Sequence, residues 1–539
     1  IEMCIRDSFE YDRNNRVVAE ILPLGQTTRY EYDALGNRTA ILDAKGQRIE
    51  YHYSPAGRMV QERHFATGDH SNPVKVIDYF YDALGRLTGY DDATTSAVYT
   101  YDANGRKLTE TVDYGPFELG HSYSYYLNGL KASFTDPEGE TTRYDYDEAN
   151  RLSAIELDDG QRITYTEYEW NRPGLTNYPS GLRTHYDYDS LQRIDRIQGQ
   201  DSNGTVLLDY RYTRSPAGNI RTKDTALGRY TYEYDPIGRL KGATHPALRN
   251  EAYTYDPVGN RLTSEDGVKV WMYDENNRLI GNEELRLEFD ENGNVTEYQE
   301  TGEERMLLYY DVQNRLMSVE VSASGDPIEF LYDPFGMRLS KAGGSTRVYF
   351  SYANEVLAGE YDTESNVIRK YGMRPGHARD REPLFFKVGQ SWLWFENDRI
   401  GYPAAMRDAG GSKVWAAHYG SFGDSIVYVS LQSNSIRFPG HYFDDDLGWV
   451  YNGARYYAPD TGRYLTRDPA DSAYGSNEYV YGNSNPLSYI DVDGREPSAA
   501  DTLNLPGVPQ IPGLPTAFPA AGVALDDPQG FAEGLHDIQ

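Results

Sequence analysis

Through most of the chain, apolar and polar positions alternate with a period of two, in short runs broken by turn residues. The stretch Tyr30-Glu-Tyr-Asp-Ala-Leu-Gly-Asn37 sets the pattern. Aromatics at i and i+2 share one face of a strand, and the residue between them points the other way. The Asp that follows can accept backbone N–H groups and open a turn. Gly or Asn two or three residues later tolerates positive φ, so the chain can reverse into a new strand that opens on Arg and an apolar residue. The unit reads as strand, tight turn, strand. It recurs at Tyr79-Phe-Tyr-Asp, Tyr99-Thr-Tyr-Asp, Tyr144-Asp-Tyr-Asp, Tyr186-Asp-Tyr-Asp, Tyr232-Glu-Tyr-Asp, Tyr253-Thr-Tyr-Asp, Trp271-Met-Tyr-Asp, Tyr309-Tyr-Asp and Phe330-Leu-Tyr-Asp. One hairpin cannot stand alone in water, so the units must pair side by side into a continuous sheet. Residues 60–75 and 111–135 fit less well, the second through the degenerate Tyr125-Tyr-Leu-Asn-Gly-Leu130, and are expected to bulge or loop.

Composition sharpens this picture. Tyr is found 49 times against 17 Phe and 6 Trp, which suits half-buried strand faces whose hydroxyls reach a polar partner. With 51 Gly and 27 Pro the class is all-β with many turns. At 539 residues the chain exceeds one ordinary domain, but a repeat array grows by adding units to one structure. A net charge of −31 argues against nucleic-acid binding, which depends on clustered Lys and Arg. The single cysteine, Cys4, excludes internal disulfides, and no apolar run is long enough for a membrane-spanning helix. Residues 1–8 lack a signal-peptide pattern and do not fit the repeat, so the chain is expected to be a fragment of a longer protein whose first residues are foreign to it.

The repeat resembles the tyrosine-aspartate repeats of the Rhs family, which also includes wall-associated bacterial proteins, toxin-complex C components and teneurins. The resemblance spans roughly residues 9–495. It implies a β-sheet ribbon spiralling into a hollow shell. Residues 9–340 read as the repeat shell and 341–495 as the Rhs-associated core domain that closes it. Arg437-Phe-Pro-Gly440 and Tyr456-Tyr-Ala-Pro-Asp-Thr-Gly-Arg463 carry the core resemblance, and four of the six Trp fall between residues 390 and 450. Residues 496–539 are a Pro-rich tail, too short for most enzymatic domains.

Spacing alone would make Asp468 and Asp491 turn or cap residues. The resemblance implies more: Arg455, Asp468 and Asp491 match the arginine and two aspartates of the family's autoproteolytic core. It places the scissile bond between Arg495 and Glu496. Two carboxylates sharing a site cannot both ionise cheaply, so one would hold a proton while the other acts as base. Val492 stands where the family has Pro, and Arg495 where it has Leu. No Gly-x-Ser-x-Gly elbow, His-Glu-x-x-His helix, Walker loop or Cys-rich metal site is present, so self-cleavage is the enzymatic reading, with no cofactor and no metal. Acidic stretches such as Asp290-Glu-Asn-Gly-Asn294 lack the terminal bidentate Glu of a calcium loop. His441 reads as a packed histidine.

The resulting expectation is a bacterial toxin carrier, secreted or at the cell surface. Its shell would hold a C-terminal effector and release it by aspartyl autoproteolysis, with secretion machinery and an immunity protein as partners. The alternative is a cell-surface adhesion protein of the same repeat, binding cells or carbohydrate without catalysis.

Overall fold

The computed structural model describes residues 8–263, 270–322, 325–375, 382–437, 441–469, 477–495 and 497–499. Cys4, Glu496 and the tail beyond residue 499 lie outside the described residues. Within them the chain is built from β-strands, with one 3-10 turn at Gly482–Ser484 and no α-helix. Twenty-three strands, from Ser8–Tyr11 to Glu251–Ala252, form one sheet. Sixteen more, from Met272–Tyr273 to Ser425–Ser430, form a second. Each strand pairs antiparallel with its neighbours in sequence, so both sheets are meanders.

The Tyr-Asp unit explains the regularity. In the turn after Tyr32, the Asp33 carboxylate accepts the backbone N–H groups of Leu35 and Asn37 at 2.9 Å, and Gly36 takes φ +94°. Where Arg follows the turn it does two jobs. Arg86 Nε donates to Asp82 at 2.6 Å, and its Nη1 reaches the carbonyl of Asp102 in the next unit at 2.7 Å. The same guanidinium lies over the Tyr101 ring, 5.0 Å from its centre. Tyr101 in turn donates its hydroxyl to the Leu87 carbonyl at 2.6 Å. Arg239, Asp235, Tyr255 and Asp256 repeat the arrangement, as do Arg315, Asp311, Tyr332 and Asp333. In these units the second tyrosine uses its hydroxyl, which phenylalanine would not supply.

The two segments expected to be irregular differ. Residues 66–74 form a longer loop between the strands Met59–Phe65 and Lys75–Tyr81. Residues 111–135 keep the meander, because Tyr126 takes the place of the Asp: its N–H donates to the Leu130 carbonyl, and Gly129 donates to its own carbonyl. Backbone bonds close this turn without the carboxylate.

The second sheet lies against the first along one seam, through partners far apart in sequence, such as Tyr361 with Glu138, 223 residues apart, and Leu24 with Asn276, 252 apart. Lys45 meets Asp290 at 3.1 Å, Gln313 donates to Glu62 at 3.1 Å, and Lys387 meets Glu140 at 2.7 Å. Phe335 packs on Tyr79 and Tyr90, and Trp394 on Tyr178. The sheets are thus successive coils of one ribbon. The residue two places after the turn Asp reaches across this seam in the second coil, as Asn276, Asn292, Gln313 and Phe335 do. In the first coil that place holds Leu35, Leu84, Leu191 and Ile237, 69–83% exposed along the opposite rim.

The strand Arg338–Gly343 spans residue 340, and the second sheet runs on through Trp394 and Trp415, both buried. The Tyr-Asp spelling fades after this point while the strand alternation persists. Beyond Ser430, a four-stranded sheet (Tyr442–Asp444, Trp449–Asn452, Arg455–Ala458, Arg463–Tyr464) packs Trp449, Tyr451, Tyr456 and Leu465 on Leu287, Tyr298, Phe330 and Tyr332 of the second coil. Its clamp is Arg338, buried against Phe350 and Tyr451, with Nη1 2.5 Å from Asp444 and 2.7 Å from the Tyr456 hydroxyl. Lys341 adds a second contact to Asp444 at 2.9 Å. Arg467 reaches Glu20 of the first coil at 2.9 Å, and Asn485 reaches Asn219 at 3.0 Å.

Two tests follow from these contacts. Asp444→Ala strands Arg338 as a buried cation and is expected to cost about 3–5 kcal/mol in urea unfolding. Burial pushes the Asp333 carboxyl up to about 7 from 3.8, partly offset by the N–H groups of Met337 and Phe335 and the nearby Arg315 charge. A raised folded-state value favours folding below about 4, and that contribution is lost as pH rises through about 7. Asp333→Asn should therefore flatten the fall in stability between those limits, read by thermal melts at stepped pH.

Candidate functional site

The four-stranded sheet carries Arg455 at the start of its third strand, just after the tight turn Asn452-Gly453-Ala454. Gly453 has φ +58°, and a Cβ there would lie 2.7 Å from the Asp493 carbonyl oxygen. The turn thus presses directly on the segment that carries Asp491. Ala454 N–H donates to the Asp493 carbonyl at 2.9 Å. Asp491 ends the strand Tyr489–Asp491, which pairs antiparallel with Pro497–Ala499, Asp491 lying opposite Pro497. Residues 492–495 therefore follow the first strand of a hairpin.

The structure brings Arg455, Asp468 and Asp491 together. Arg455 Nη2 lies 2.9 Å from Asp468 Oδ2 and 3.2 Å from Asp491 Oδ2, so one nitrogen serves both carboxylates. Its Nε donates to the Gly494 carbonyl at 2.5 Å and its Nη1 to the Glu478 carbonyl at 2.8 Å. The guanidinium also stacks on Tyr464, 3.6 Å from the ring centre. Arg455 and Asp491 side chains are 2% exposed, and Asp468 is 21% exposed. The guanidinium compensates only one of two negative charges, so hydrogen bonds must carry the rest.

Those bonds converge on Asp491. Its Oδ1 accepts the N–H groups of Gly494 at 2.9 Å and Arg495 at 3.0 Å. Its Oδ2 accepts the Tyr464 hydroxyl at 2.7 Å. Its backbone carbonyl accepts Asn452 Nδ2 and the His441 ring Nε2, both at 2.9 Å. Burial, and then the neighbouring Asp491 charge, push the Tyr464 hydroxyl well above its usual range, so it stays a donor. Val492 fills an apolar cluster with Ile400, Val450, Tyr457 and Ile490. Arg495 is half-buried, with its N–H held by Asp491 and its partner across the expected cut, Glu496, outside the described residues. His441 is buried and packs edge-on to Tyr481, in keeping with a packed residue.

Sequence spacing singled out neither Tyr464 nor Asn452. The Asn452-Gly453 dipeptide was a signal for a turn, but nothing in the spacing tells that the turn faces residues 491–495. The arrangement has the parts for peptide hydrolysis: a carboxylate that reaches solvent, a buried cation on a peptide carbonyl, and a chain segment held in place.

A ribbon of Tyr-Asp hairpins coiled into a shell, with a C-terminal block clamped to it, defines a YD-repeat shell protein. The teneurin YD-shell family matches residues 217–486, and the RHS repeat family matches residues 11–48 and 125–164. The chain belongs to this Rhs/YD-shell family. The YD-shell match takes in Arg455 and Asp468 and ends before Asp491. Among curated proteins the chain is similar to double-stranded DNA deaminase toxin A of Burkholderia cenocepacia, at 29% identity over 54% of this chain and 23% of that protein. It is also similar to toxin protein Tse5 of Pseudomonas aeruginosa, at 25% identity over 49% of this chain and 25% of that one. The chain spans about a quarter of the length of these relatives. In fold it resembles the Photorhabdus luminescens Tc holotoxin pore, with TM-score 0.77, 17% identity, and coverage of 94% of this chain and 28% of that one.

Tyr464→Phe leaves Asp491 Oδ2 short of a buried donor. Chemical denaturation should find it about 1–3 kcal/mol less stable than the parent.

Proposed function

We propose that this chain is the shell and closing core of a toxin carrier, which encloses a C-terminal effector and severs the chain between Arg495 and Glu496. In this reading residues 9–340 are the repeat shell, residues 341–495 the closing core and residues 496–539 the Pro-rich variable tail. The toxin names of the relatives support the carrier role. The observation that carries the cleavage is Arg455, which touches Asp468, Asp491 and the Gly494 carbonyl at once. A buried guanidinium on that carbonyl holds the adjoining chain rigidly and favours developing negative charge nearby. The segment between Asp491 and Pro497 is a hairpin connection, so it can be cut without dismantling either sheet. Partners in this reading are the effector, the machinery that secretes the carrier from a bacterium, and an immunity protein.

The test is intact mass under denaturing conditions. The parent chain is expected to separate into a body ending at Arg495 and a fragment beginning at Glu496, and Asp468→Asn to run as one species. An uncut parent would remove the protease reading and leave the shell as described.

A further inference from the structure

We infer that the two aspartates are not equivalent: Asp468 handles the proton of the attacking water, and Asp491 is a positioning residue that pins the segment to be cut. This rests on the self-cleavage reading above and assigns roles within it.

The two side chains sit in different surroundings. A carboxylate has about four lone-pair sites. At Asp491 four donors fill them: Gly494 N–H, Arg495 N–H, the Tyr464 hydroxyl and Arg455 Nη2. Two further donors, from His441 and Asn452, hold its backbone carbonyl. To accept a proton, this carboxylate would have to give up a buried bond, and its side chain is only 2% exposed. Asp468 shares Arg455 Nη2 yet is 21% exposed, so it alone of the pair reaches water. The bonds Asp491 makes run to the very segment in question, fixing the backbone of Gly494 and Arg495 next to the expected cut. A cation between the two groups removes the need for them to share one proton.

The step balances with water as the only co-reactant. A water oxygen bonds to the carbonyl carbon of Arg495 while Asp468 takes its proton. The carbon–nitrogen bond to Glu496 then breaks, and the departing nitrogen receives that proton from Asp468. The products are a carboxylic acid on Arg495, which gives its remaining proton to solvent, and an amine on Glu496. Arg455 and Asp491 hold the chain during both stages.

The experiment is a cleavage time course on the full chain from pH 4 to 9, after refolding from denaturant, for the parent, Asp468→Asn, Asp491→Asn and Tyr464→Phe, each with a thermal melt. Asp468→Asn is expected to lose cleavage by ~10²–10⁴-fold. Asp491→Asn keeps an acceptor for the two backbone N–H groups, so it should cleave about 10- to 100-fold slower with the acid limb of its pH profile unmoved. Tyr464→Phe should be slowed with the same profile, and it decides the matter if Asp491→Asn does not fold. A folded Asp491→Asn as inert as Asp468→Asn, or an acid limb that moves in Tyr464→Phe, overturns the assignment of roles while leaving self-cleavage standing. A parent that stays whole at every pH overturns the self-cleavage reading and this inference with it.

Discussion

The structure depends on the carboxylate at the turn of the Tyr-Asp hairpins. One Asp oxygen collects two backbone N–H groups that the reversal would otherwise leave unpaired, as at Asp33 and Asp82. The other oxygen anchors an Arg, and that Arg reaches the next hairpin's carbonyl and the face of its tyrosine. Each turn is thereby tied to the following one. A meander of many short strands would otherwise have only its ladder bonds and a shared apolar face to keep neighbouring hairpins in register. The charged side chains here sit mostly at the sheet rim, where a cation and an anion can pair without deep burial.

The seam between coils adds a second level. Its contacts are mixed: ion pairs such as Lys45 with Asp290, amide bonds such as Gln313 with Glu62, and ring contacts such as Phe335 on Tyr90. Three buried histidines also stand there or beside it. His64 pairs with Glu62, His121 with Ser351 and His245 with Glu251, whose carboxylate also holds the Ser421 N–H. Burial draws the His121 value down to about 4, so the ring is neutral across the neutral range. The C-terminal block uses the same means on a smaller scale, with Arg338 and Arg455 each buried among aromatic rings and carboxylates.

Much of this was legible in the sequence, because it is local. Alternation gave the strands, and the spacing of Asp and Gly gave the turns, since both are decided within about five residues. The tyrosine hydroxyl ladder was written less plainly; the excess of Tyr over Phe hinted at it, while its acceptors lie in the preceding hairpin. The regular turn at Tyr126 was not readable, because the backbone bonds that close the Asp turns close it too, and Asn128 Oδ1 takes the Leu130 N–H that a carboxylate would have held. Arg455, Asp468 and Asp491 were singled out through a family pattern. That Arg455 stands between both carboxylates, and that Tyr464, Asn452 and His441 hold Asp491, follows from contacts across 13 to 50 residues of chain that no spacing rule encodes.

The ribbon's two long edges are unlike. One presents Asp turns whose third residue projects outward, as Leu35, Leu84 and Ile237 do; the other presents the sockets that receive such residues, as Tyr79 and Tyr90 receive Phe335. A coil of this kind therefore has a top and a bottom, like a screw thread with male and female flanks. Turned over, it would set projection against projection and leave the sockets empty. Which edge meets which is thus a property of each hairpin, settled before any two coils meet.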